Sequence, residues 1–239
     1  MLTKVIRSSS SFGTQNIIDY YKTNLDAYLI QDNLNGQLLV KTNSGKMYLY
    51  DYNKKKCYLH NKIQIQWNDK PIIKHLDSFD QNNLLIANKL RDYVLKECLQ
   101  QTNNNYILGI GGEYYIYFPY IKSKNYYGMS NHNSIVLDAK TNVPYSHNWL
   151  VNYDKIQLQF NNIFDIIILN VYNIHEKIIK WIIQHKFIKL IIISCDLSDS
   201  KLKLLADNFK IKKIKYFKNI TSWIRIITCF QKILINRYK

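Results

Sequence analysis

Three stretches of this sequence predict an α/β protein with a small β-rich region in front of it. Ile166–Leu169 and Leu190–Ile193 are continuous apolar runs rich in β-branched residues, without alternation. Such runs suit strands buried on both faces of a parallel sheet. Between them Ile174, Ile178, Ile179, Ile182 and Ile183 recur at helical spacing, with Glu176, Lys177 and Lys180 among the polar positions. That is a β-α-β unit, with a right-handed crossover expected. Further on, Ile211–Phe217 and the apolar part of Trp223–Leu234 follow each other with no long crossover, so they pair antiparallel. From Asn82 onward the order is therefore alternating α and β ending in a hairpin.

Composition sets the outer limits. The chain has 239 residues, 47% of them hydrophobic, enough for one ordinary domain plus a smaller attachment. We expect residues 1–75 to form the β-rich region and 76–239 the α/β domain. No apolar run approaches the ~18 residues of a membrane helix, so no membrane partner is expected. Net charge is +16, and Ile174 to Lys239 hold fifteen Lys/Arg against four Asp/Glu. Positive charge gathered at one end suits a polyanion, most simply nucleic acid. Abundant Asn, Lys, Ile and Tyr also fit AT-rich codons, so a lysine-heavy solvated surface is the competing account. Cysteines at 57, 98, 195 and 229 show no paired spacing and the six histidines form no cluster. No zinc or other metal site is expected, and unpaired thiols point to a reducing compartment such as the cytoplasm. Met1–Phe12, with Lys4, Arg7 and four serines, reads as a frayed terminus or, less simply, an organelle transit peptide.

In chain order, Ile17–Leu25 could be a short helix. Leu38–Val40, Met47–Tyr50, Cys57–Leu59 and Ile63–Trp67 are strand-like and separated by turn formers, a small antiparallel layer. Pro71 and the polar stretch at Asp77-Ser78 mark a boundary. Leu84–Leu99 is amphipathic, with Leu85, Ala87, Leu90, Val94 and Leu95 on or near its buried face. Tyr106–Gly112 is an apolar strand running into three glycines, which suit either a close ligand approach or a tight turn. Tyr126–Met129 reads as a second strand, Ser134–Asn142 as a helix, Trp149–Tyr153 as a third strand and Leu197–Phe209 as a helix. The strands of the opening unit end on polar residues, Asn170 and then Ser194, Cys195 and Asp196. In open α/β sheets the site lies off the carboxyl ends of the strands. Cys195 is therefore a candidate nucleophile; a buried apolar cysteine at a strand end is the alternative.

Three segments resemble the RNA uracil-C5 methyltransferases, which make 5-methyluridine in tRNA and rRNA on a class I S-adenosylmethionine-dependent methyltransferase fold. Ser78-Phe-Asp-Gln-Asn82 is similar to the family's Ser-Phe-x-Gln-x-Asn segment, Leu190–Asp196 to its strand ending in Val-Ser-Cys-Asn-Pro, and Ser134–Asn142 to the helix after its cofactor-ribose strand. The resemblance covers roughly residues 75 to 239, and the RNA-binding β-barrel carried by many members has no counterpart in it. It implies S-adenosylmethionine as cofactor, RNA as partner and Cys195 as nucleophile. It implies Gln81, Gly109, Gly111 and Ser130 around the cofactor and Asn170 on the substrate. Lys210, Lys212, Lys213, Lys215 and Lys218 crowd one strand and its flanks and are the expected RNA contacts.

The departures bear on catalysis. Asn170-Val-Tyr-Asn stands where the family has Asp-Pro-Pro-Arg, Ser130 where an acid meets the ribose, and Arg225 where a glutamate is the base; the aspartate before the glycines is also lost. C5 of uracil is a poor nucleophile. A thiolate adding to C6 makes an enolate able to take a methyl group, and a base must then remove the C5 proton before the thiol leaves. Without that base turnover stalls. The amide oxygen of Asn170 could still accept N3–H of uracil. The expectation is an RNA uracil-C5 methyltransferase-like protein with reduced or lost activity. The alternative is an inactive RNA-binding module keeping the fold; a purely structural role fits less directly.

Overall fold

The computed structural model describes residues 27–33, 37–42, 47–51, 56–59, 62–75, 78, 84–100, 105–172, 174–195, 197–218 and 223–231. The expected helix at Ile17–Leu25 and the expected cofactor contact Gln81 lie outside them. Two compact units divide between Lys89 and Leu90.

The first unit holds a four-stranded antiparallel meander, β1 (Ala27–Asn33), β2 (Gln37–Thr42), β3 (Met47–Asp51) and β4 (Lys56–Leu59), in sequential order. A separate hairpin joins β5 (Lys62–Trp67) to β6 (Lys70–His75). Its two-residue turn, Asn68-Asp69, has positive φ at both positions, 44° and 60°. This is the turn twist that matches a hairpin, and Asn and Asp tolerate it best after glycine. Pro71 does not mark a break: it lies inside β6, opposite Gln66. A two-stranded sheet has only edges, so a residue without an N–H can face away from the ladder.

Helix α1 (Leu84–Leu99) crosses the division and leads into the second unit. There the strands are β7 (Tyr106–Gly111), β8 (Asn125–Ser130), β9 (His147–Leu150), β10 (Phe164–Asn170), β11 (Phe187–Ser194), β12 (Phe209–Lys218) and β13 (Trp223–Gln231). They form one sheet ordered β12-β13-β11-β10-β7-β8-β9. β7 to β11 pair parallel; β13 lies antiparallel between β11 and β12. The apolar runs behave as expected: every residue of β10 is buried, and seven of the eight in β11. The third parallel strand is shorter and earlier than the expected Trp149–Tyr153, because Asn152 accepts a hydrogen bond from Asp154 N–H and turns the chain into a 3-10 turn at Tyr153–Lys155.

Helices α2 (Tyr114–Tyr117), α3 (Asn133–Asn142), α4 (Glu176–Ile183) and α5 (Asp199–Asn208) complete the unit. α4 buries Ile178, Ile179, Trp181 and Ile182 against Leu108, Ile110, Ile167, Leu169, Leu190 and Ile192. The other face of the sheet meets α1 at Glu97, which takes hydrogen bonds from Lys189 and Thr228; Leu90, Val94 and Leu95 of that helix are buried as expected, as is Ala87. A buried Val or Leu side chain contributes about 1.5–3 kcal/mol, so burial on both faces makes β10 and β11 the centre of stability. Below them Lys189 is buried with its Nζ donating to the Glu97 carbonyl at 2.7 Å, near the carboxyl end of α1. Burial lowers its pKa, and the negative end of the helix accepts the charge that remains.

Candidate active site

The carboxyl edge of the parallel sheet gathers most of the expected site. Strand register sets Gly111 beside Asn170 and Asn170 beside Ile193, one residue short of the end of β11. Cys195 follows directly and is half-buried. On the other side of β11, Ser194 pairs with Arg225 of β13. Val171 N–H donates to the Ile193 carbonyl at 3.1 Å and the Ser194 hydroxyl to the Tyr172 carbonyl at 3.0 Å. The exit of β10 is thus fastened to the exit of β11. The Arg225 guanidinium donates to the Leu197 carbonyl and lies 6.0 Å from the Tyr216 ring centre.

The two glycines of β7 differ. Gly111 has φ +93°, and a Cβ there would lie 2.0 Å from the Asn170 carbonyl oxygen. That same oxygen accepts Gly112 N–H at 2.7 Å. Only glycine permits this turn. Gly109 instead sits under Tyr114, whose ring fills the space above both Gly109 and Gly128 and whose hydroxyl donates to Asn148 Oδ1 at 2.9 Å. Next in the turn, Glu113 adopts a left-handed φ of 56° and meets Arg91 of α1 at 2.5 Å, both side chains fully buried. Ser130 ends β8 fully buried; its hydroxyl accepts His132 N–H at 3.2 Å.

Beside Ser130 opens a cavity of about 580 Å³ lined by Asn131, Leu150, Val151, Asn152, Tyr153, Asp154 and His175. It lies where β8 and β9 end and α4 begins. Lys177 Nζ donates to Asp154 Oδ1 at 3.0 Å, and this hydrogen bond holds the carboxyl below its ordinary range. Burial pushes the Tyr153 phenol up to about 12, so it stays a neutral donor. Amides, a carboxylate and a phenol around one hollow can satisfy hydroxyl and amino groups of a small polar ligand. None of these residues was singled out in the sequence; only polar residues following the ends of β8 and β9 signalled them.

The five lysines all lie on the outermost strand, β12, and are exposed. A bulge at Lys212 splits them. Lys210, Lys213 and Lys215 pair across from Phe230, Thr228 and Ile226, on the α1 face; Lys218 pairs across from Trp223 on the other. Lys213 is 3.5 Å from Glu97 and 5.0 Å from the Tyr93 ring centre, and Lys212 is 5.5 Å from that of Phe230. At about 3.3 Å per residue the row runs roughly 26 Å along the edge. Only its Lys218 end is level with Ser194 and Cys195, because Tyr216 pairs with Arg225. Lysines and a bulge on an edge strand also guard it against pairing with another chain.

Among the described residues no group of three His, Cys, Asp or Glu could hold a metal, and no helix is long and apolar enough to cross a membrane. Thiol reactivity should separate the cysteines. Burial pushes Cys98 and Cys229 up to about 12, so at pH 8 both remain thiols. Iodoacetamide at that pH is expected to alkylate Cys195 ahead of both, read by peptide mass spectrometry; faster labelling of Cys98 or Cys229 would contradict this packing.

No protein-family model and no curated protein sequence matches the chain. Solved structures do. The Pyrococcus abyssi tRNA (uracil-54, C5)-methyltransferase in complex with S-adenosyl-L-homocysteine is similar over 91% of this chain and 66% of that one, at 10% identity and a TM-score of 0.57. The N-methyltransferase NodS from Bradyrhizobium japonicum WM9, in complex with S-adenosyl-L-homocysteine, is similar over 62% and 88%, at 10% identity and 0.53. Magnesium protoporphyrin IX methyltransferase from Synechocystis PCC 6803, with S-adenosylmethionine bound, is similar over 62% and 81%, at 13% identity and 0.51. What these likenesses share is a fold, and the seven-stranded sheet of this chain is that of the class I S-adenosylmethionine-dependent methyltransferases.

Proposed function

We propose that this protein binds S-adenosylmethionine and acts on RNA as a uracil-C5 methyltransferase of low turnover, with Cys195 as nucleophile. The observation that carries the reading is the placing of Cys195, half-buried at the carboxyl end of β11, beside the Gly111–Asn170 exit and next to the Ser194–Arg225 pair. The match to a tRNA uracil-C5 enzyme supports it, reaching over 91% of the chain and so into the first unit. The net charge of +16 supports an RNA substrate.

The cavity residues fit the cofactor's nucleoside. Asp154 and the amides of Asn131 and Asn152 would hold its hydroxyl and amino groups, a task for which Ser130, buried and already bonded to His132, is poorly placed. When bound, the cofactor supplies a methyl group on a sulfonium. The chain's own part begins with the Cys195 thiolate, which adds to C6 and sends the ring electrons to C5. Asn170 holds the base edge. Removal of the C5 proton would fall to the residue opposite Ser194, which is Arg225, and a guanidinium offers donors and no acceptor for that proton.

Isothermal titration with S-adenosyl-L-homocysteine should give saturable binding, weakened about tenfold by Asp154→Asn. Because the Asp154 carboxyl lies below its ordinary value, it stays ionised throughout pH 5–8, so its own contribution to affinity should hold there and be lost only in stronger acid. RNA affinity should fall with salt at a log–log slope of about −0.7 per phosphate contacted. No cofactor binding by the wild-type chain, or RNA binding indifferent to salt, would sink the reading.

A further inference from the structure

Arg225 brings hydrogen-bond donors to the Cys195 exit, and the chain itself uses few of them. The side chain is half-buried, Nη1 donates to the Leu197 carbonyl, and Nε is buried with no hydrogen-bond partner among the described residues. Among those residues no carboxylate lies within ion-pair distance of the guanidinium. A cation partly removed from water with no acid beside it loses solvation that nothing in the fold returns, so it points to an anion from outside the chain. The surroundings suit one anion in particular. Register places Arg225 between Ser194 of β11 and Tyr216 of β12, and the Tyr216 ring, 6.0 Å away at its centre, is 49% exposed. Two residues on, about 7 Å along the strand, exposed Lys218 falls on the same side of β12. A cation, an open aromatic ring and a second cation thus succeed each other outward from the Ser194-Cys195 exit. Proteins hold a single nucleic-acid strand with this mixture, charges on the phosphates and rings on the bases.

We propose that Arg225, Tyr216 and Lys218 grip the nucleotide flanking the target: Arg225 takes a backbone phosphate, Tyr216 stacks the base, and Lys218 meets the next phosphate. The planar fork of a guanidinium matches two oxygens of one phosphate. None of these contacts reads a base edge, so the grip is indifferent to sequence. It rests on the reading of RNA as the substrate, and it gives the arginine that stands in place of a proton acceptor a role in binding. The grip acts on affinity, so exchanging Arg225 raises KM for RNA whatever it does to turnover at saturation.

The test is fluorescence anisotropy of fluorescein-labelled uridine and cytidine octamers with the full chain, titrated between about 50 and 200 mM salt. Arg225→Gln should weaken binding of both octamers about tenfold, as for a hydrogen bond to a charged group. It should also flatten the log–log salt slope by about 0.7, the share of one phosphate contact on a single strand. Tyr216→Ala should weaken binding about tenfold with the slope unchanged, and Tyr216→Phe should stay close to wild type, as for base stacking. Lys124→Gln is the control, an exposed lysine just before β8 at the opposite edge of the sheet, and should change neither quantity. If Arg225→Gln fails to fold, Lys218→Gln, at an exposed position, should flatten the slope by the same amount. A slope unmoved by a folded Arg225 or Lys218 variant, an equal loss in Lys124→Gln, or binding unmoved by Tyr216→Ala overturns the grip while leaving RNA binding in place. A wild-type chain that binds neither octamer, even at low salt, overturns the RNA reading and the grip together.

Discussion

Arg225→Glu is expected to raise 5-methyluridine formation by about two orders of magnitude over the wild-type chain, and Cys195→Ala to abolish it in either background. A positioned general base contributes typically 10²- to 10⁴-fold, and position 225 sits opposite Ser194, the residue before the proposed nucleophile. On the proposed mechanism the wild-type guanidinium cannot take the C5 proton, so addition at C6 would proceed and elimination would stall. Arg225→Gln serves as the control. It removes the cation and its contacts with Leu197 and Tyr216 without supplying a base, and should give no gain. Mass spectrometry of digested RNA after incubation with cofactor reads the outcome. A gain in Arg225→Gln equal to that in Arg225→Glu would mean that the arginine only obstructs the site. Multiple turnovers by the unaltered chain would mean that a base lies elsewhere.

Arg91→Met is expected to destabilise the second unit by about 3–5 kcal/mol, the usual consequence of breaking a buried ion pair. In a domain of this size that lowers the melting temperature by about 10 °C. The pair is fully buried, and Glu113 is in a left-handed conformation that costs an ordinary residue about 1 kcal/mol or more. The guanidinium therefore holds a strained residue next to the Gly111-Gly112 turn. Arg91→Met/Glu113→Leu should recover most of the loss, since an apolar pair of similar volume removes both buried charges together. Thermal melts of the three proteins check this. A single variant as stable as the wild type would show that the pair contributes nothing.

The edge on which the site lies was legible from a local rule. A polar residue closing a buried apolar run marks a carboxyl strand end, and Asn170 and Ser194-Cys195 meet it, while Gly111 was marked by the glycines that follow its strand. What those residues touch was not legible. Gly109 and Gly111 read alike as members of one motif, yet one makes room for the Tyr114 ring and the other bends the chain under the Asn170 carbonyl. The cavity was also hidden, because Asn131, Asn152, Asp154 and His175 come from three loops with no spacing in common.

By itself the sequence determined the elements that local periodicity controls. Leu84–Leu99 is the α1 helix, Ile166–Leu169 and Leu190–Ile193 fall within the buried strands β10 and β11, and β12 and β13 pair antiparallel. Each of these depends on residues a few positions apart, and burial on one or both faces writes its own period into the chain. Only the tertiary structure decided that β13 slides between β11 and β12, which places Arg225 against Ser194. That choice is a competition between distant strands for the same edge of β11, and no local pattern records it. Long-range packing likewise set the bulge at Lys212 that brings Lys210 to the same face as Lys213 and Lys215, the room for Pro71 in an edge strand, and the meeting of Arg91 with Glu113.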